Sequence, residues 1–418
     1  MGKIAQAQSL QHLFRPTSIA VVGASPEPGT PGNIIMRNLT QGKFLGPVMP
    51  VSAEHSEIMG IECYNGVDTL PLTPDLGMIC APADEIPAYI EEFGIRGASG
   101  VVILSRGAFR RNPEQREARH KKILKAAEPF GIRILGPNCL GFINPNIGLN
   151  ASLAHRDALP GRLAFVTQSD SLFTAVLDWA TSKGIGFSHF VSLGDRMDIH
   201  LGHVLDYLNS DPHTRAVLLY LETIRRARPF MSAARALARN KPVLVIKAGR
   251  SAEGSRAAAA HSGSFLGMDD VYDAAFRRAG VLRVYDVDTL FDTVETLARS
   301  RLLQGTGLAI LTNGGSPGFL ATDELITQGG QLATLHPETS ARLAQELGGN
   351  LTYYNPLVIR SNANGAMYAQ ALHTLLHDDA VDAVLVMHVP TASVPSLEVA
   401  QAIITVGQKT KRNVLTSW

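Results

Sequence analysis

Short runs of β-branched and small apolar residues recur along this chain, and most end in glycine, serine or alanine just before a stretch with helical spacing. Residues 18–24 (SIAVVGA) are followed by a Gly- and Pro-rich turn and then by IIMRNLTQG. Further runs stand at 47–51, 76–81 (LGMICA), 100–104 (GVVIL) and 132–135. A strand that is apolar on both faces must be covered on both sides. Alternation with helical stretches therefore predicts an α/β fold with parallel, doubly wound sheets. In such sheets ligands sit beyond the carboxyl ends of the strands.

The same alternation restarts twice. Residues 144–161 (NPNIGLNASLAHRDALPG) are polar and turn-rich, and read as a linker. Strands follow at 163–167, 188–193, 216–221 and 242–248. A third series opens with TGLAILTN at 306–313 and runs through a helix at 367–376 and DAVLVM at 382–387 to NVLTSW at 413–418. Three domains are expected, at 1–143, 161–300 and 305–418. The last ends on a strand with no crossover helix after it, so it is read as truncated. The 418 residues suit two to four domains.

Composition narrows the function classes. Hydrophobic residues are 45% and charged residues 18%, which excludes a disordered chain. A net charge of +1 gives no overall field toward nucleic acid or a membrane, so neither is expected as a partner. The basic run Arg110, Arg111, Arg116, Arg119, Lys121, Lys122 is interleaved with Glu114 and Glu117 and reads as a solvated helix face. Cys63, Cys80 and Cys139 form no CxxC pair, which favours a reduced, cytoplasmic compartment over secretion or a zinc site. No apolar run approaches the ~18 residues of a membrane span, and residues 1–15 lack a signal-peptide core. His200/His203 and His373/His377 have helical ligand spacing, but each pair lacks a third ligand, so no metal is expected.

The strand ends carry the candidate chemistry. Gly23, Ala24, Ser25 and Gly32 surround the first strand–turn–helix junction, where free N–H groups and the helix dipole favour a phosphate. The spacing is not G-x-G-x-x-G. The second strand ends in Val51-Ser52, where an NAD site would want an acid. Ser105-Arg106 and Pro137-Asn138 end later strands, and Arg106 is the fixed cation among them. In the second series, Ser169-Asp170 starts a helix and Glu222 directly follows AVLLYL. Gly314-Gly315 open a helix in the third. After the strand VLVIKAG comes RAAAAHSGSFLGMDD (256–270), read as a small-residue loop around His261. A histidine so placed serves as base, metal ligand or phosphoryl carrier, or is a plain surface residue. Glu222 and His261 are expected to meet at one sheet edge.

Taken together, GAS, GPNCLGFINP, TQSDS, YLE, HSGSFLG and LTNGGSP resemble, in this order, the α part of the NDP-forming acyl-CoA synthetases. These are the ADP-forming acetyl-CoA synthetases and their succinyl-CoA synthetase relatives. The chain is similar also to the amino-terminal part of the bacterial protein lysine acetyltransferases. The resemblance implies a Rossmann-like CoA-binding domain followed by two flavodoxin-like domains of the succinyl-CoA synthetase type. It implies that Gly23, Ala24, Ser25, Gly32, Val51, Ser52, Ser105, Arg106, Pro137 and Asn138 face coenzyme A or acetyl-CoA. It implies that His261 carries a phosphoryl group, with Glu222 orienting it and Ser169, Asp170, Gly314 and Gly315 at phosphate. ADP or ATP with Mg would act only through an ATP-grasp partner, either a β subunit or missing C-terminal domains, and an oligomer is expected. The alternative is a catalytically silent CoA- or acyl-CoA-sensing regulatory module separated from its acetyltransferase domain. Two positions depart from the family pattern. Asp170 stands where a glycine is usual, and Val358 follows Asn355-Pro356-Leu357 where an aspartate is usual.

Overall fold

A computed structural model describes residues 10–105, 113–262, 267–301, 303, 305–348 and 353–418. The chain forms two compact units, Met1–Ala298 and Arg299–Trp418.

The first unit begins with β1 (Ile19–Val22), α1 (Pro31–Gln41), β2 (Val48–Val51), a small hairpin of β3 (Glu57–Ile58) and β4 (Ile61–Glu62), and β5 (Leu76–Ile79). It continues through α2 (Ile86–Arg96), β6 (Gly100–Ile103), α3 (Pro113–Ala127) and β7 (Arg133–Leu135). Strands β2-β1-β5-β6-β7 form a parallel sheet in that order. Alternate residues feed two cores. Ile19, Val21, Met78 and Val102 face one, and Ala20, Val22, Ile79 and Ile103 the other.

A second sheet follows, made of β8 (Gly141–Asn144), β9 (Leu149–Ser152), β10 (Pro160–Thr167), β11 (Phe187–Ser192), β12 (Ala216–Leu221), β13 (Val243–Lys247) and β14 (Leu282–Val284). Its helices are α4 (Asp170–Ser182), α5 (Leu201–Ser210), α6 (Ala227–Ala238), α7 (Ala252–Ser262), α8 (Asp269–Ala279) and α9 (Val287–Arg299). The order is β14-β13-β12-β10-β11-β8-β9, parallel except for the β8–β9 edge. Ala164, Val166, Val217 and Leu219 pack into the same core as Ile19 and Val21, so the two sheets share an apolar layer.

Two expectations are corrected here. The polar stretch after residue 144 is not a linker. It completes an antiparallel hairpin whose Ile143 pairs with Phe190. Its polarity is internal. Asn144, Asn150 and Ser152 are buried, with Ser152 Oγ donating to Asn150 Oδ1 (2.6 Å) and Asn144 Nδ2 to Phe14 O (3.0 Å). Residues 256–262 are also not loop. They lie in α7, where four consecutive alanines supply the strongest helix propensity available. Asp269 and Asp270 occupy the first turn of α8, as first-turn acids should.

The second unit contains β15 (Gly307–Thr312), α10 (Gly315–Thr327), β16 (Gln331–Leu332), α11 (Pro337–Leu347), β17 (Leu357–Val358), α12 (Gly365–Leu376), β18 (Ala383–Met387), α13 (Ser396–Gly407) and β19 (Asn413–Ser417). Strands β16-β15-β18-β19 are parallel, and β17 adds to β15 at Leu311 and Thr312. Asn355 ties this sheet. Its side chain receives Ile310 N (2.9 Å) and donates to Leu308 O (2.7 Å) and Ala333 O (3.0 Å). Val358 is a strand residue pairing with Thr312. Among the described residues no helix is long and apolar enough to cross a membrane.

Asn38 links the two layers of the first unit. From α1 its buried Nδ2 donates to Ser152 O and Ala154 O, both at 2.8 Å. Asn38→Ala leaves both carbonyls unsatisfied and is expected to cost about 1–3 kcal/mol of stability. Chemical denaturation followed by circular dichroism measures it.

Candidate functional site

At the first sheet, pairing aligns Val22 with both Val51 and Ile79, so Gly23, Ser52 and Cys80 emerge side by side. Gly23 has φ +74°, and a Cβ there would stand 2.8 Å from Cys80 O. Gly32 is tighter still. Its Cβ would meet Gly23 O at 1.9 Å, so the start of α1 presses directly on the strand end. Thr30 caps α1 by accepting from Asn33 N (3.3 Å), and Asn33 Nδ2 holds the turn through Ser25 O and Pro26 O. Ala24 is buried. Ser25 Oγ accepts from Glu27 N (3.1 Å). Ser52 N bonds Tyr64 O, and its hydroxyl meets His55 Nδ1 at 3.2 Å. Ser105 Oγ donates to Ala81 O. Arg106 lies outside the described residues. Burial pushes the Cys80 thiol up to about 12, which leaves it a neutral wall residue.

Pro137 and Asn138 are placed differently. They follow β7, at the opposite edge from β2, and reach the second sheet. Asp195 N donates to Pro137 O (2.9 Å), and Asn138 Nδ2 to Asp195 Oδ1 (3.4 Å). The joint is reinforced by Arg133 on Asp198, with Nε–Oδ2 at 2.9 Å.

At the second sheet the strand ends converge. Thr167 is fully buried, and its hydroxyl receives Ser169 N (2.9 Å) and donates to Ser169 O (3.0 Å). Ser169 caps α4 by accepting from Leu172 N (3.3 Å). Asp170 is the first residue of that helix and accepts from Ser192 Oγ at 3.0 Å. Its carboxylate is thus held against the helix end rather than left to solvent. Gln168 forms a clamp. Its Oε1 accepts from Glu222 N (2.9 Å) and Thr223 N (3.0 Å), and its Nε2 donates to Thr223 O (3.0 Å). Glu222 is half-buried. Leu221 pairs with Lys247, so Glu222 lies beside the strand that leads into α7. His261 stands in the last turn of α7.

Sequence reading passed over three residues here. Gln168 clamps the Glu222 backbone. Arg196 donates to the same Thr223 O (3.0 Å), has φ +58°, and is lowered to about 10 by burial and then by Arg225. Lys247 is buried, with Nζ 4.5 Å from the Tyr272 ring centre, and burial lowers its pKa against the pull of Asp269. A signal for the first was present. Thr167-Gln168-Ser169 and Thr312-Asn313-Gly314 are the same device. In the second unit Thr312 Oγ1 bridges Gly314 N and O (both 3.0 Å), while the Asn313 amide bridges Val389 N (2.7 Å) and O (2.9 Å). Gly314 precedes α10 and Gly315 begins it.

Among the described residues no group of three or more His, Cys, Asp or Glu side chains is placed to hold a metal. His200 and His203 stack at 3.7 Å, and His203 Nδ1 faces Arg133 Nη2 at 3.1 Å. The His373 and His377 rings are tilted by 36° with their centres 4.2 Å apart.

Comparison with known proteins gives consistent matches. Residues 17–145 match the CoA binding domain family, and residues 160–297 match the succinyl-CoA ligase like flavodoxin domain family. The α subunit of ADP-forming acetate–CoA ligase I from Pyrococcus furiosus is 36% identical over 400 residues, 95% of this chain and 86% of that one. ADP-forming acetate–CoA ligase I from Archaeoglobus fulgidus is 38% identical over 395 residues, 94% of this chain; the match spans only 57% of that longer protein. Among solved structures, the dinucleotide-forming acetyl-coenzyme A synthetase 1 of Ca. Korarchaeum cryptofilum, in complex with phosphate and ADP, superposes with a TM-score of 0.90 at 32% identity. That match covers 97% of this chain and 88% of that one.

The stacked histidines generate a pH prediction. Burial, followed by Arg226 for His200 and by His200 and Arg133 for His203, lowers both to about 4. The unfolded value is about 6.5. The unfolded chain therefore binds more protons between these limits, and stability present above pH 6.5 is lost as pH falls toward 4. His203→Gln is expected to flatten this loss, read as the difference in denaturation midpoint between pH 7 and pH 5.

Proposed function

The chain belongs to the family of ADP-forming acetate–CoA ligase α subunits, and from that premise we propose that it is the CoA-binding, phosphoryl-carrying part of an ADP-forming acid–CoA ligase. The single observation behind this reading is the convergence of strand ends in the second sheet. Ser169-Asp170 after β10, Glu222 after β12 and the segment leading to His261 after β13 belong to neighbouring strands.

The first sheet supplies the CoA seat. A helix start pressed on a strand end by Gly32 presents backbone N–H groups and a positive dipole end to a phosphate. Gly23, Ala24, Ser25, Val51, Ser52 and Ser105 line this edge, and no acid stands at Ser52 to select a dinucleotide ribose.

In the direction of ATP formation, a phosphate oxygen bonds to the acyl carbon of acyl-CoA, the C–S bond breaks, and CoA leaves as its thiol. A neutral imidazole nitrogen of His261 then bonds to phosphorus as the acyl oxygen–phosphorus bond breaks and the carboxylate departs. Glu222 stabilises the ring as it becomes cationic, and the N-terminus of α4 faces the transferred phosphoryl group. An oxygen of ADP finally takes the phosphoryl group from nitrogen, giving ATP. ADP and its magnesium would be held by an ATP-grasp partner chain or domain. The relatives named above are ligases, and the reading as a silent sensor has no observation of its own behind it.

Mixing the chain with an ATP-grasp β subunit and γ-labelled ATP should place an acid-labile label on the wild type and none on His261→Ala. Glu222→Gln should slow labelling without moving it. Equal labelling of wild type and His261→Ala sinks the assignment. Asp170 makes a separate prediction. A carboxylate near the phosphate seat opposes an anion by about 1 kcal/mol at 4 Å in a watery dielectric. Asp170→Asn is therefore expected to tighten inorganic phosphate about fivefold in calorimetry at low salt.

A further inference from the structure

The first unit contains a cleft of about 330 Å³ between α3 and the carboxyl-end loops of β11 and β12. That falls in the range of about 300–1,000 Å³ typical of small-molecule sites. One side is apolar, formed by Leu124, Met197, Leu201, Ile224 and Phe230. Gln168, Arg196 and Thr223 also line it; Gln168 accepts from Glu222 N and Arg196 donates to Thr223 O.

Charge in the cleft favours an anion. Arg196, Arg225, Arg226 and Lys121 line it against a single carboxylate, Glu117, which is already paired with Lys121 at 3.0 Å. Asp195, behind the wall, is engaged by His120 at 3.2 Å. The decisive group is Arg196. It lines the cleft, its Nη1 donates to Thr223 O at 3.0 Å, its Nε is enclosed by protein, and Glu222 and Asp195 both act on its charge. Burial withdraws this guanidinium from water more than the two nearby carboxylates offset, so a further anion would stabilise it, and its planar fork matches a carboxylate.

We propose that this cleft seats the carboxylic acid, with its carboxylate on Arg196 and its organic body along the apolar side. The cleft holds far more than a two-carbon acid fills, so the substrates it suits are acids with a larger apolar body, such as medium-chain aliphatic or aryl-substituted acids. The neutral amides of a pantetheine arm offer this cationic lining no anion. The proposal rests on the acid–CoA ligase reading, but binding of acid to the chain alone requires neither ATP nor a partner.

The test is calorimetric titration of the full chain with the sodium salts of acetate, hexanoate and phenylacetate at fixed ionic strength. Hexanoate and phenylacetate should bind about tenfold or more tighter than acetate. Arg196→Met should weaken all three about tenfold to a hundredfold, and Arg196→Lys should restore part of the loss. Met197→Trp should fill the apolar side, weakening the two larger acids and sparing acetate. Because Arg196 also holds Thr223, thermal melts accompany each variant. If Arg196→Met fails to fold, Met197→Trp and Ile224→Trp decide the matter. No acid binding by the wild type, equal affinities in wild type and Arg196→Met, or undiminished binding of the larger acids when the apolar side is filled would overturn the proposal. Acid binding that depends on Arg196 but occurs without labelling of His261 would uphold the cleft while removing the ligase reading. Labelling of His261 without such binding would do the reverse.

Discussion

A parallel strand covered on both faces offers polar groups to a ligand only where it stops. Both sheets of the first unit obey this constraint. Val22, Ile79 and Ile103, then Val166, Leu219 and Val245, are buried, and the candidate groups, Val51 at the end of β2 apart, lie just beyond such a run or on the helix that follows. The carboxyl ends of neighbouring strands lie side by side, so the chain need not be folded specially to gather Ser169, Glu222 and the segment before His261. Sheet order does it. What remains is to hold those ends still, and buried amides do that work. Gln168 satisfies two N–H groups and one carbonyl across β10 and β12, and Asn38 and Asn355 join layers in the same manner.

The same device explains why the two units look like variations on one theme. A buried threonine hydroxyl closes on the backbone two residues ahead, an amide reaches to the next strand end, and a helix begins. In the first unit the helix opens with Asp170, in the second with Gly315. This difference is chemical rather than architectural. One helix end carries a carboxylate held by Ser192, the other carries none.

Two stretches differ from their compositional reading. Residues 144–161 read as a linker because asparagine and serine dominate turns, yet Asn144, Asn150 and Ser152 find partners inside the fold and the stretch becomes sheet. Residues 256–262 read as loop because small residues surround a histidine, yet four alanines make a helix wherever its ends are tolerated. In the first case long-range hydrogen bonds outweighed polarity. In the second, the helix propensity of the alanine run outweighed the turn-forming serine and glycine that follow it.

The strand–helix order, the parallel sheets, the tight glycine turn at Gly23 and Gly32 and the position of Glu222 after its strand were all legible from residues alone, because each depends on a local pattern. Family membership was legible from the order of short motifs. Tertiary structure alone placed Arg196. Nothing local marks it. Its left-handed backbone, its bond to Thr223 and its enclosed Nε arise from the meeting of two loops after different strands. Tertiary structure also decided that Pro137 and Asn138 bond to the second sheet, because the contact to Asp195 spans more than fifty residues and has no period to read. Local periodicity determines which elements form. The groups that meet between them depend on how the sheets pack, and that information is distributed over the whole chain.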